Sequence, residues 1–125
     1  MTTTTQLVFD HLNIPVDTEP FDAKRFIAQN VLKWTNQLVN RLQDSYGRAG
    51  GREGEFSIVS GRKYYKIVQR SGGVHAFVDK KTGQVYKPAS WKSPAKHVRY
   101  DLRIINNREY LLKNADWAGG YLYMR

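Results

Sequence analysis

Between residues 27 and 46 the apolar side chains Ile27, Val31, Trp34, Leu38, Leu42 and Tyr46 recur at spacings of four, three, four, four and four. That period aligns them on one face of a helix. Lys24, Lys33, Asn36, Gln37, Asn40 and Gln43 occupy the polar side, while Phe26, Leu32 and Val39 widen the apolar stripe. The pattern predicts an amphipathic helix over 22–46, embedded against a sheet. Asp22 suits the N-cap, Phe21 and Phe26 are spaced for a hydrophobic staple, and Gly47 is a natural residue to end the helix.

Segment 47–54, with Arg48 and Arg52 among its glycines, reads as a flexible connector. Beyond it the pattern changes to short runs rich in Val, Ile, Tyr and Phe at 55–60, 63–70, 74–79 and 84–87. Gly61-Arg62, Ser71-Gly72-Gly73 and Lys80-Lys81-Thr82-Gly83 separate them, as turns separate the strands of an antiparallel meander. A loop at 88–96 follows; its two prolines, Pro88 and Pro94, exclude a central strand. Residues 97–105 supply a further strand, and Asn107 caps a short helix reaching about Asn114. Trp117-Ala118-Gly119-Gly120 then breaks the chain before a last apolar run at 121–124. Residues 1–20, with Pro15 and Pro20, read as an N-terminal arm laid against the core. The predicted fold is α+β: one domain over 1–125, with a long helix on a four- to five-stranded antiparallel sheet and short terminal elements.

Charge changes this picture more than composition does. Residues 61–99 hold ten basic side chains against one acid, Asp79, which equals the net charge of +9 for the whole chain. A one-signed block of this kind fits a polyanionic partner, most simply nucleic acid, single-stranded or duplex. The N-terminus lacks the basic and apolar regions of a signal peptide. No apolar run reaches the roughly 18–20 residues of a membrane span, so no membrane role is expected. The absence of cysteine excludes disulfides and thiolate metal sites and fits a reducing compartment.

Within β-like segment 63–70, alternation sets Tyr64, Lys66, Val68 and Arg70 on one face and Tyr65, Ile67 and Gln69 on the other. The second set packs on the helix, leaving Tyr64, Lys66 and Arg70 outward. In the loop, Lys87, Lys92 and Lys96 recur around Trp91. A stiff cationic loop with a central Trp can follow a phosphate backbone while stacking a base. The candidate nucleic-acid-binding residues are therefore Arg62, Lys63, Tyr64, Lys66, Arg70, Lys87, Trp91, Lys92, Lys96 and Arg99. Two plainer readings compete: the lysines only solubilise a small sheet and blunt its edges, and Trp91 only pins an irregular crossover.

The run from Phe77 to Lys96, with Lys87-Pro88-Ala89-Ser90-Trp91-Lys92 as its distinctive part, resembles a segment of small uncharacterised proteins encoded by tailed phages, particularly those of marine cyanobacteria. The likeness covers roughly 75–100. It implies a viral origin, with the host-cell cytoplasm or the virion as location, and it transfers no site residues.

Enzymatic patterns are weaker. Glu55 with Asp79-Lys80-Lys81 superficially matches the acid plus Asp-x-Lys arrangement of metal-dependent nucleases. Asp79 also opens a tight turn, where an Asx-type hydrogen bond accounts for it. His11, His75 and His97 are too scattered for a metal site, and no phosphate-binding P-loop or Gly-x-Ser-x-Gly motif occurs. No cofactor is expected and no catalytic residue is assigned. The rival reading is a protein–protein module, a virion component or a binder of an acidic host factor, with the wide stripe of the helix pairing two copies.

Overall fold

A computed structural model describes residues 23–123. Helix α1 (Ala23–Arg48) leads into strands β1 (Phe56–Ser60), β2 (Tyr64–Gln69), β3 (Gly73–Asp79), β4 (Gln84–Tyr86) and β5 (Tyr100–Asp101). Helix α2 (Ile105–Asn114) and a 3-10 turn (Gly120–Tyr123) close the chain. The strands form one antiparallel sheet in the order β1-β2-β3-β4-β5, so the fold is α+β. The arm at 1–20, the Asp22 cap, Phe21 of the staple and the end of the 121–124 run lie outside the described residues. Among the described residues no helix is long and apolar enough to cross a membrane.

α1 buries Val31, Thr35, Leu38 and Leu42, with Ile27, Trp34, Val39 and Tyr46 packed beside them. Thr35 interrupts the apolar face without leaving a polar group unsatisfied, because its hydroxyl donates to the Val31 carbonyl at 2.7 Å. The stripe is narrower than its sequence suggests: Phe26 and Leu32 are exposed. The helix also runs past Gly47, and the left-handed residue is Gly50, with φ +93°. The Gly51 N–H donates to the Tyr46 carbonyl (2.8 Å) and the Gly50 N–H to that of Gly47 (3.0 Å), which is a Schellman ending. A Cβ on Gly51 would fall 2.2 Å from the Tyr46 ring, so the second glycine is a packing requirement.

The connector expected to be flexible is clamped by one side chain. Gln43 donates through Nε2 to the Arg52 carbonyl (2.8 Å). Its Oε1 accepts from the Glu55 N–H (2.8 Å) and the Phe56 N–H (3.3 Å). The start of β1 is thereby tied to the last turns of α1.

The helix-facing side of the sheet carries Ile58, Tyr65, Ile67, Ala76, Val78, Val85 and Tyr100 by its register. Most of these join Leu102, Leu111, Ala115, Tyr121 and Leu122 in the core. β3 contains one extra residue: Ile67 pairs with Ala76 but Val68 with Val74. The bulged residue, His75, turns inward beside Phe56 and Tyr121, with ring centroids 5.6 and 5.7 Å away. α2 is held to α1 by Arg41, which donates to the Lys113 carbonyl (3.0 Å), and by Arg108, 4.4 Å from the Trp34 ring.

Two expectations at the C-terminal side are corrected. Of 97–105 only Tyr100–Asp101 is a strand, because β4 offers three residues for pairing before Pro88. α2 starts at Ile105 with no side-chain cap; Asn107 instead accepts from the Asp101 N–H.

Two buried polar groups make stability depend on pH. Glu55 is 1% exposed and accepts from the Ser71 hydroxyl, the Ser71 N–H (3.2 Å) and Arg52 Nε (3.1 Å). The Ser71 hydroxyl chiefly, helped by Arg52 and the Ser71 amide, holds its pKa at about 2 against the opposing effect of burial. His75 shares a 2.7 Å hydrogen bond with the Tyr121 hydroxyl. Burial holds its pKa near 4, against the opposite pull of Asp116. Both folded-state values lie below the ordinary ones of 4.5 and 6.5, so both groups stabilise at neutral pH and lose that contribution on acidification. His75 loses it between pH 6.5 and 4, and Glu55 between pH 4.5 and 2. Thermal melts across pH should therefore show two acid limbs, the upper removed by His75→Gln and the lower by Glu55→Gln. Glu55→Gln should also lower Tm at pH 7. An NMR titration of the His75 imidazole should give a midpoint near 4, and a midpoint near 6.5 would contradict the buried placement.

Candidate nucleic-acid interface

The face of the sheet turned away from α1 is built by the alternate residues of each strand. Register places Val59 beside Lys66, Lys66 beside Phe77, and Phe77 beside Tyr86. Tyr64 pairs with Asp79 at the end of this row. A sheet covered on one side leaves such a row in water. Here Phe77 is 1% exposed. Tyr64 meets it edge-on at 5.6 Å and meets Tyr86 at 6.1 Å, so three rings form a second cluster on this face. Burial, with Tyr64 and Asp79 nearby, raises the pKa of the Tyr86 phenol.

The Pro/Trp loop reaches this cluster through Lys66. Pro88 and Pro94 face one another across an antiparallel bridge. The Ala95 N–H donates to the Lys87 carbonyl (2.8 Å), and the Ala89 and Ser90 N–H groups donate to Ser93 (3.0 and 3.1 Å). At the tip, Ser90 Oγ accepts from the Lys92 and Ser93 N–H groups (3.2 and 3.3 Å), a Ser turn. The prolines occupy positions that need no donor. The loop thus folds as a small hairpin over the sheet and presents Trp91, which stays 54% exposed. The Lys66 ammonium lies 4.3 Å from the Trp91 ring centroid and 5.7 Å from that of Phe77. A groove of ≈ 250 Å³ runs between the loop and the start of β3, lined by Gly73, Val74, Pro88, Ala89, Ser90 and Trp91.

The ten sequence-derived candidates divide. Tyr64, Lys66 and Trp91 come together, with Lys63 joining them 5.4 Å from the Tyr64 ring. Arg62 is exposed in the β1–β2 turn beside Lys63, and Lys92 is exposed next to Trp91. Lys96 is exposed just past the loop's bridge. Arg70 stands at the opposite end of β2, where its N–H donates to the Glu55 carbonyl (2.8 Å). Lys87 turns to the C-terminal 3-10 turn, its ammonium 4.4 Å from the Tyr123 ring. Arg99 is half-buried, with its Nε enclosed. Lys80, outside the candidate set, donates to Ser60 Oγ (2.6 Å) and lies 4.9 Å from the Tyr65 ring.

Electrostatics favour an open cationic surface. The ion pairs among the described residues are Arg48–Asp44, Arg52–Glu55 and Arg103–Asp101, all outside the basic block. The block's own acid, Asp79, accepts from the Lys81 and Thr82 N–H groups (2.8 and 3.1 Å), the Asx turn expected of it. No basic side chain between Arg62 and Arg99 is neutralised by a carboxylate among the described residues.

The nuclease-like pair does not assemble. Glu55 precedes β1, next to Arg70, whereas Asp79 pairs with Tyr64 at the far end of β2. The length of β2 from Tyr64 to Arg70 separates them by roughly 20 Å, too far to share one metal ion. Glu55 is moreover spent on Ser71 and Arg52. Among the described residues no group of three or more His, Asp or Glu could hold a metal.

Pattern alone does not single out Phe77 as a site element, since β3 is apolar on both faces. Its burial predicts that Phe77→Ala costs about 3–5 kcal/mol in urea denaturation, as for a core aromatic. A cost under about 1 kcal/mol would mean that this face is not covered.

No curated protein and no solved structure matches the chain. A family match extends over residues 18–124, which takes in α1, the whole sheet, the Pro/Trp loop and α2. This chain belongs to the family of unknown function DUF7717.

Proposed function

We propose that this protein is a non-catalytic nucleic-acid-binding protein that engages its ligand with the sheet face and the Pro/Trp loop. The observation that carries the reading is the juxtaposition of Lys66 and Trp91, 4.3 Å apart, within a group of cations that no carboxylate among the described residues neutralises. A half-exposed indole offers a stacking surface to an unpaired base. Lys63, Lys66 and Lys92 around it offer phosphate contacts, with Arg62 and Lys96 at the margins. Arg70, Lys87 and Arg99 stand apart from this group and carry less of the binding. The resemblance of 75–100 to phage-encoded proteins supports a phage accessory protein acting in the host cytoplasm.

Fluorescence titration against single-stranded DNA, duplex DNA and RNA over a salt series tests this reading. Log affinity should fall linearly with log salt, and Lys92→Ala with Lys96→Ala should flatten the slope by roughly one to two units. Trp91→Ala should weaken binding to a single strand by about ten- to a hundredfold and binding to duplex far less. Failure to bind any of the three polymers at low salt defeats the proposal.

A further inference from the structure

Among the described residues β1 is an edge strand whose outer side is unpaired. The Arg70 N–H donates to the Glu55 carbonyl and the Gly61 N–H to the Tyr64 carbonyl. Hydrogen-bonded positions alternate along an antiparallel ladder, so Ser57 and Val59 point their backbone groups at β2. Those of Phe56, Ile58 and Ser60 point away from it. Gln43 takes the Phe56 N–H. The N–H groups of Ile58 and Ser60 and the carbonyls of Phe56, Ile58 and Ser60 have no partner among the described residues. The strand, Phe-Ser-Ile-Val-Ser, has neither the charge nor the proline that usually protects an edge. Ser57, Val59 and Ser60 are exposed.

We propose that this edge pairs with the same edge of a second copy of the chain, in a two-fold antiparallel register centred on Ile58. Symmetry then sets Ile58 opposite Ile58 and Phe56 opposite Ser60. In that register every one of the free N–H groups finds a carbonyl, and the already occupied Phe56 N–H is the only outward donor not used. The flanks match as well. The same register brings the Gly61-Arg62-Lys63 turn of one copy beside Glu53 and Gly54 of the other. A groove of ≈ 600 Å³ lies there, between the end of α1 and the turn before β1, lined in part by Asn40, Gln43, Asp44, Glu53 and Gly54. Asp44 is paired with Arg48, but Glu53 is exposed and in no ion pair among the described residues. Arg62 of the second copy supplies its missing cation. The charge on both sides selects a second copy over an arbitrary extended peptide.

Sedimentation equilibrium of the full chain, freed of nucleic acid, tests the pairing. The wild type should dimerise in the micromolar range, as befits a small strand-edge interface. Ser60→Pro removes an outward N–H without touching the β1–β2 ladder, and should raise the dimer Kd by about tenfold or more. Glu53→Lys, a surface change that leaves the fold untouched, should weaken the dimer similarly, and adding Arg62→Glu to it should restore affinity. Circular dichroism checks that each variant folds. A chain that stays monomeric to its solubility limit overturns the proposal. So does a dimer indifferent to Glu53→Lys, or one dispersed by Leu32→Glu on α1 instead.

Discussion

The outer face of the sheet, which the long helix cannot reach, depends on the burial of Phe77. A five-stranded meander with one helix would ordinarily be wet on its second face. Fully burying a side chain of this size contributes about 1.5–3 kcal/mol, but only if something covers it. Tyr64, Tyr86 and Lys66 flank it, and the Lys66 ammonium lies 5.7 Å from its ring and 4.3 Å from that of Trp91 in the folded-back loop. The loop is therefore joined to the second cluster through Lys66 as well as being the carrier of Trp91. The two readings of Trp91, as an anchor and as a contact surface, are compatible because one side of the ring meets Lys66 while half of the residue remains in solvent.

The remaining order comes from polar side chains that join segments distant in sequence. Gln43 fixes the start of β1, Glu55 fixes the β2–β3 turn through Ser71, and His75 fixes the C-terminal turn through Tyr121. Tyr100 adds a bond from its hydroxyl to the Tyr121 carbonyl (2.8 Å). Each is a satisfied group in a low-dielectric setting, where a broken network costs more than the sum of its bonds suggests. That is also why the acid sensitivity concentrates on residues that touch neither the basic face nor the loop.

Periodicity made the helix, the meander and the split of β2 into two faces legible, since each rests on local spacing. Tyr65 and Ile67 do face the helix, and Lys66 does face away. What stayed hidden depends on contacts across the chain. The register of β3 was ambiguous because Val74, His75, Ala76, Phe77 and Val78 are apolar or compact on both sides, and one bulged residue decides which of them goes where. The glycine-rich connector looks mobile until Gln43, far along the helix, is seen to bind it. Asn107 looks like a cap until the Asp101 N–H claims its side chain. Of the candidate surface, charge clustering delimits the block from which the candidates are drawn, but only the loop's fold-back distinguishes Lys66 and Lys92, beside Trp91, from Arg70 and Arg99.

The strand order has a kinetic consequence. Every strand pairs with its neighbour in sequence, and the turns joining β1 to β4 are only a few residues long. Loop-closure entropy for these hairpins is small, so the four-stranded part belongs to the low-contact-order topologies that form early and quickly. The excursion from Tyr86 to Tyr100 is the one long closure in the sheet. β5, the Pro/Trp loop and the C-terminal turn are the parts whose docking is deferred, and until they dock His75 lacks its Tyr121 partner and Lys66 its contact with Trp91.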